Sequence, residues 1–134
     1  MVQSCEKELL NHGIAKDQLN IHRVPGSYEL PMGAKLLLGS QLKPDAIICL
    51  GCVIQGATKH DDYINHTIAR SINNLGLVSG TPIIFGVLTT NNQEQARERS
   101  DGTYGDKGAE SAQAALKMIS LKERLSGSPK KISF

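Results

Sequence analysis

The stretch Asp45-Ala46-Ile47-Ile48-Cys49-Leu50-Gly51-Cys52-Val53-Ile54, continuing as Gln55-Gly56-Ala57-Thr58-Lys59-His60-Asp61-Asp62, decides the fold. Its first part is apolar without alternation, as a central strand of a parallel sheet is when both faces are covered. Its second part is a turn opened by glycine that leads into a helix. Asp61 and Asp62 put negative charge where the helix dipole favours it, and Ile64, Ile68, Ile72 and Leu75 recur on one face. Gly80 fits the C-terminal stop of that helix. A strand running into a helix is the first half of a βαβ unit. The second half follows at once in Pro82-Ile83-Ile84-Phe85-Gly86-Val87-Leu88-Thr89, another run of the same kind.

The pattern extends in both directions. Upstream, residues 19–24 read as a further strand, and Pro31 is placed as the first residue of a helix over 31–42, with Pro44 beyond its end. The chain begins inside a helical pattern, 2–11. Downstream, Asn91-Asn92-Gln93-Glu94 resembles a capping box, with Asn in place of Ser or Thr, opening a short helix to about Arg99. A glycine-rich turn, 102–108, precedes a last helix over 107–124. Strands separated by helices of this length imply right-handed crossovers. The expected fold is therefore α/β: a parallel sheet flanked by helices on both faces, in a three-layer sandwich, forming one domain over residues 1–125. Residues 126–134, with Lys130-Lys131 in a Gly/Ser/Pro setting, read as a flexible basic tail. Three strands make a thin sheet for this architecture.

At 134 residues, 40% hydrophobic and 21% charged, the chain has the make-up of a globular protein and not of a disordered or fibrous one. The net charge of +2 has no long block of either sign, which argues against a nucleic-acid-binding face. No apolar run approaches the roughly 20 residues of a membrane span, and the N-terminus lacks a basic-then-apolar signal pattern, so a cytoplasmic protein is expected. Aromatic residues make up 4%, with no Trp, so any ring in a site comes from a short list that includes Tyr28 and Phe85. The 3 cysteines are odd in number. Cys49 and Cys52 spell C-x-x-C, but inside a strand their side chains would diverge, and His60 follows too closely for a zinc finger. Plain core cysteines are expected, with no metal site.

In open parallel sheets ligands bind beyond the carboxyl ends of the strands. That rule selects Val24-Pro25-Gly26-Ser27-Tyr28-Glu29-Leu30-Pro31, then Ile54-Gln55-Gly56-Ala57-Thr58-Lys59-His60, then Thr89-Thr90-Asn91. Gly56, Ala57 and Thr58 run into a helix N-terminus, where free amides and the positive dipole end suit a phosphate. His60 stands at the mouth of that turn and is able to give and take protons near neutral pH. An ordinary βα loop with an exposed histidine reads the same way. Arg99, whose guanidinium fork matches phosphate oxygens, and Lys107 are further candidates, although a lone basic residue is more often simply solvated.

These residues also carry a resemblance. The segments 24–31, 51–60 and 82–90, with Glu94-Gln95-Ala96-Arg97-Glu98-Arg99 and Gly105-Asp106-Lys107-Gly108-Ala109-Glu110, resemble the lumazine synthases of riboflavin biosynthesis, in order and nearly without gaps over residues 2–121. The resemblance implies condensation of 5-amino-6-(D-ribitylamino)uracil with 3,4-dihydroxy-2-butanone 4-phosphate to give 6,7-dimethyl-8-ribityllumazine, phosphate and water, with no cofactor. It implies His60 as the proton shuttle. Gly56, Ala57, Thr58 and Arg99 would hold the phosphate, with Lys107 nearby. Tyr28 would lie beside the pyrimidine, Glu29 would bind the ribityl hydroxyls, and backbone groups around Val53 and Ile54 would read the pyrimidine edge. Phe85 would close the site. Phe85, Arg99 and Lys107 would come from a neighbouring subunit of a homopentamer, and the short turn 100–107 is of the form found in members that build icosahedral shells.

Departures from the family pattern are Asp61 in place of an aromatic, His66 in place of a glutamate, and the added charge of Lys59. Asp61 would raise the His60 pKa if the side chains met. Family members also carry a first strand and a loop before this point, and that strand lies between those matching 19–24 and 45–54, so an absent first strand is expected here. The alternative reading is a ligand-binding or shell-forming homologue, or an inactive fragment, without catalysis.

Overall fold

Apolar and β-branched residues at Ile47–Ile54 (β1) and Ile83–Thr90 (β2) form two strands paired in parallel, Ile47 opposite Ile83 and Ile54 opposite Thr90. Parallel neighbours cannot be joined by a hairpin, and the helix His60–Ser79 (α3) supplies the crossover. The other helices are Val2–Asn11 (α1), Leu30–Leu38 (α2), Gln93–Asp101 (α4) and Lys107–Ser126 (α5), with short 3-10 turns at Lys16–Gln18 and Ser27–Glu29. The computed structural model describes residues 1–127; of the expected basic tail, Ser126 closes α5, Gly127 is its left-handed cap, and the remainder lies outside the described residues.

Strand residues alternate between two faces. Ile47, Cys49, Val53, Ile83 and Val87 pack with Ala34 of α2 and with Ile68 and Ile72 of α3, the last two almost fully buried. The opposite face receives α5, which also packs along α1 and buries Ala112, Ala115 and Leu116. That approach is close. A Cβ on Gly86 would stand 2.6 Å from both Leu50 Cδ2 and Ser111 Oγ, so only glycine lets α5 settle onto β2. The α/β class with helices on both sides of a parallel sheet is as expected.

The expected strand over 19–24 is not formed, and the sheet of the described residues has two strands. The segment is coil. A cavity of about 710 Å³ lies between it and β1, walled by Leu19, Ile21, Ile48 and Leu50 and, from the helices, by Cys5 and Leu116. A ladder needs strands about 4.8 Å apart, and with that volume between them the two segments do not meet it. Pattern alone marked 19–24 as strand-like; the partner decides.

Helix ends moved by small amounts. α2 stops at Leu38 and not near 42, because Ser40 Oγ donates to the Leu37 carbonyl at 2.7 Å and receives the Leu42 amide at 3.2 Å, turning the chain out of the helix. The capping box of α4 sits one residue later than expected: Asn92 Oδ1 accepts from the Gln95 amide at 2.9 Å, and Gln95 Oε1 reaches back to the Asn91 amide at 2.9 Å. Gly80 ends α3 at φ +68, as its position in the sequence implied.

All three cysteines are free, and Cys49 and Cys52 stand on opposite faces of β1. Burial pushes the thiols of Cys5 and Cys49 up to about 11. At pH 8 a thiol-specific reagent is expected to label half-buried Cys52 first and the other two far more slowly, since only about one in a thousand of such thiols is ionised there. Ile72→Ala, which empties a fully enclosed site, is expected to cost about 2–5 kcal/mol in a denaturant titration.

Candidate active site

The β1 ladder runs one step beyond Ile54, where the Gln55 amide donates to the Thr90 carbonyl at 2.7 Å. The chain then leaves the sheet through exposed Gly56, Ala57 and Thr58 and enters α3 at His60. The first amides of a helix have no intrahelical acceptor. In α4 and α5 a cap side chain takes up one of them: Asn92 accepts from Gln95, and Asp106 Oδ1 accepts from Ala109 at 3.0 Å. In α3 the cap residue is Lys59, which makes no such bond. This N-terminus therefore keeps its donors and its positive end available to an anion.

His60 is exposed, while Asp61 is 7% exposed and turned inward. Successive helix residues do not face each other, so the contact that would couple Asp61 to His60 is not made. Asp61 Oδ1 and, one turn on, Asn65 Oδ1 are buried without a hydrogen-bond partner.

The 3-10 turn Ser27–Glu29 is tied to the same end of β1. Ser27 Oγ donates to the Cys52 carbonyl at 3.3 Å, and Gly51 leaves the space that Ser27 and Leu30 occupy. This sets exposed Tyr28 and half-buried Glu29 on a turn packed against the second half of β1. Tyr28, Glu29, Val53, Ile54, Gly56, Ala57, Thr58 and His60 thus gather at one strand end.

The other candidates do not join them within the chain. Phe85 pairs with Cys49 and lies five residues short of the Ile54–Thr90 end, about 16 Å along the strand. Arg99 is exposed in the last turns of α4. Lys107 opens α5 on the α1 side of the sheet, its Nζ 3.8 Å from Glu110 Oε2. A second cavity, of about 260 Å³, lies near the carboxyl end of the sheet between Ile54, Leu88 and Arg97, and none of Phe85, Arg99 and Lys107 lines it.

Sequence reading missed the contact that seats α5. Ser4 Oγ donates to Asp106 Oδ1 at 2.7 Å across 102 residues of chain. A local window carries no signal for such a pair. Burial alone would push the Asp106 carboxyl up, but hydrogen bonds from the Ser4 hydroxyl and from the Ala109 and Gly108 amides outweigh it and hold the group below its ordinary value.

In this α/β protein a parallel strand ends in a turn to a helix N-terminus without a side-chain cap, with a histidine in the first helical position, at the end of the sheet where ligands of such folds are bound. The model of the 6,7-dimethyl-8-ribityllumazine synthase family matches residues 1–123. The 6,7-dimethyl-8-ribityllumazine synthase of Cytophaga hutchinsonii is 48% identical over 119 residues, which cover 89% of this chain and 74% of that protein. The chain belongs to the 6,7-dimethyl-8-ribityllumazine synthase family.

A carboxylate with a lowered pKa adds stability above its unfolded value, about 3.9, and loses that contribution as pH falls through the folded value. Asp106→Ala is expected to cost about 1 kcal/mol at pH 7, the worth of a helix cap, with the difference from the parent narrowing below about pH 4. Denaturant melts at a series of pH values read both.

Proposed function

We propose that this chain carries out the reaction of its family: condensation of 5-amino-6-(D-ribitylamino)uracil with 3,4-dihydroxy-2-butanone 4-phosphate, a transferase step of riboflavin biosynthesis. The observation that carries the reading is the Gly56–His60 turn, in which an uncapped helix N-terminus and an exposed histidine adjoin in a chain of this family.

The reaction needs an amine to attack a ketone, water to leave as the imine forms, phosphate to leave, and the ring to close with loss of a second water. Those steps call for proton transfers and for neutralisation of a leaving anion. His60, open to solvent and next to the anion-binding turn, moves the protons. The amides at the start of α3 and the Thr58 hydroxyl receive the phosphate, with Arg99 adding a planar fork of donors. Glu29 accepts hydrogen bonds from ribityl hydroxyls, and Tyr28 lies against the pyrimidine. β1 pairs with β2 along one edge, which leaves backbone groups near Val53 and Ile54 to read the pyrimidine.

Phe85, Arg99 and Lys107 serve the site of a neighbouring copy. The 16 Å between Phe85 and the strand end, which bars it from its own chain's site, supports this. So do the apolar side chains left exposed on helices, Met32, Leu36, Tyr63 and Val78 among them. A homopentamer, built into a shell in the larger form, satisfies both. Among the described residues no helix is long and apolar enough to cross a membrane.

Mixing the protein with both substrates and following lumazine fluorescence tests the reading. Turnover is expected, and His60→Ala is expected to lower kcat by about 10²–10³ while light scattering reports an unchanged assembly. Unchanged turnover at saturating substrate would remove His60 from the mechanism. A parent protein that assembles but makes no product would establish the alternative, a binding or shell-forming homologue.

A further inference from the structure

Among the described residues two buried side-chain polar atoms lack a hydrogen-bond partner, and they stand one turn apart at the start of α3: Asp61 Oδ1 and Asn65 Oδ1. Both belong to the helix face that continues through Ile68 and Ile72, which are almost fully buried. Neither side chain forms a hydrogen bond or an ion pair with another described residue. A buried carboxylate oxygen without a donor is costly, and a second buried acceptor beside it adds to the cost. Helix geometry puts the Cβ atoms of residues i and i+4 about 6 Å apart, within reach of a direct hydrogen bond between an aspartate and an asparagine. One change satisfies both groups. A half-turn of the last Asn65 torsion exchanges its amide oxygen and nitrogen with little change in shape, and the nitrogen then has a proton for Asp61 Oδ1.

The same helix start differs from the others in a second way. Its cap residue, Lys59, accepts nothing from the first-turn amides, whereas Asn92 and Asp106 each take one up in α4 and α5. A cap fixes a helix start and occupies a donor in doing so. A link between two side chains on the buried face fixes the start and occupies none.

We propose that Asp61 and Asn65 are positioning residues for the phosphate-binding turn: the Asn65 amide donates to the Asp61 carboxylate, and this link, in place of a cap, ties the first turn of α3 to the second and leaves the first-turn amides to the phosphate of the substrate. The inference rests on the reading of the turn 56–60 as the phosphate site. It gives neither residue a contact with substrate, since both oxygens are buried. Asp61 stands where the helix dipole favours a negative charge, which suits it to be the acceptor of the pair.

Asn65→Asp sets two carboxylates against each other with no donor between them. It is expected to raise KM for 3,4-dihydroxy-2-butanone 4-phosphate, and Kd for inorganic phosphate in calorimetry, by about tenfold with kcat little changed, near the low end of a hydrogen bond to a charged group. The deciding variant is Asn65→Asp with Asp61→Asn, which reverses the pair so that position 61 donates and position 65 accepts. Both constants are expected to return to near those of the parent. If Asn65→Asp does not fold, Asn65→Ala removes the donor without adding a charge, and a rise of about threefold is expected. A pair that only stabilised the fold would lower the melting temperature of the single variants and leave KM and the phosphate Kd unmoved. A loss without recovery in the reversed pair would mean that the two side chains do not act on one another. Either result overturns the proposal. Turnover and phosphate binding are read separately, which keeps this test apart from that of the reaction. If the parent binds phosphate but gives no turnover, the reaction is wrong, and the phosphate affinities still decide on Asp61 and Asn65. If the parent binds no phosphate, the inference falls whether or not product forms.

Discussion

The parallel ladder between Ile47–Ile54 and Ile83–Thr90 is the constraint on which the rest of the structure depends. Two parallel strands have their carboxyl ends at the same end of the sheet, so the chain must return along a face between them, and α3 does so. Both faces of such a pair are apolar, and both must be covered. One receives α2 and α3 and the other receives α5 backed by α1. Because every crossover starts where a strand ends, the helix N-termini lie at that same end. This is where the turn 56–60 and the 27–29 turn meet.

The same geometry explains how the candidate residues are divided. Those on the connections that leave β1, or tied to its end through Ser27, converge without help from another chain. Phe85 sits in the first half of β2, and a strand is straight and stiff over that distance. No adjustment within the chain moves it to the strand end. The proposed site, split between a strand end and a mid-strand ring, calls for a second copy, and on that reading the low content of aromatic residues, 4%, belongs to a shared site.

Much of this was legible in the residues. The unbroken apolar runs of β1 and β2, the isoleucine spacing of α3, the glycine stop at Gly80 and the divergent cysteines each rest on a local rule, and each was found where that rule placed it. The turn 56–60 was legible for the same reason, since a helix N-terminus is a local object. The segment 19–24 was misread because alternation and β-branching describe what a strand tolerates, while the ladder that makes it one belongs to a neighbour. Whether Asp61 meets His60 was left open by their adjacency, and the rotation of about 100° between successive helical residues turns Asp61 inward. The Ser4–Asp106 hydrogen bond was not read at all.

By itself, then, the sequence determined the class of fold, the two paired strands and the helices around them, the location of the turn 56–60 and the family to which the chain belongs. These follow from periodicity, capping and motif, which act over a few residues or one helical turn. The tertiary structure alone decided which strand-like segment found a partner, which way Asp61 points, how far Phe85 stands from the strand end, and that Ser4 reaches Asp106. Each of these depends on a distance between residues far apart in the chain, and such distances are set only when the layers close.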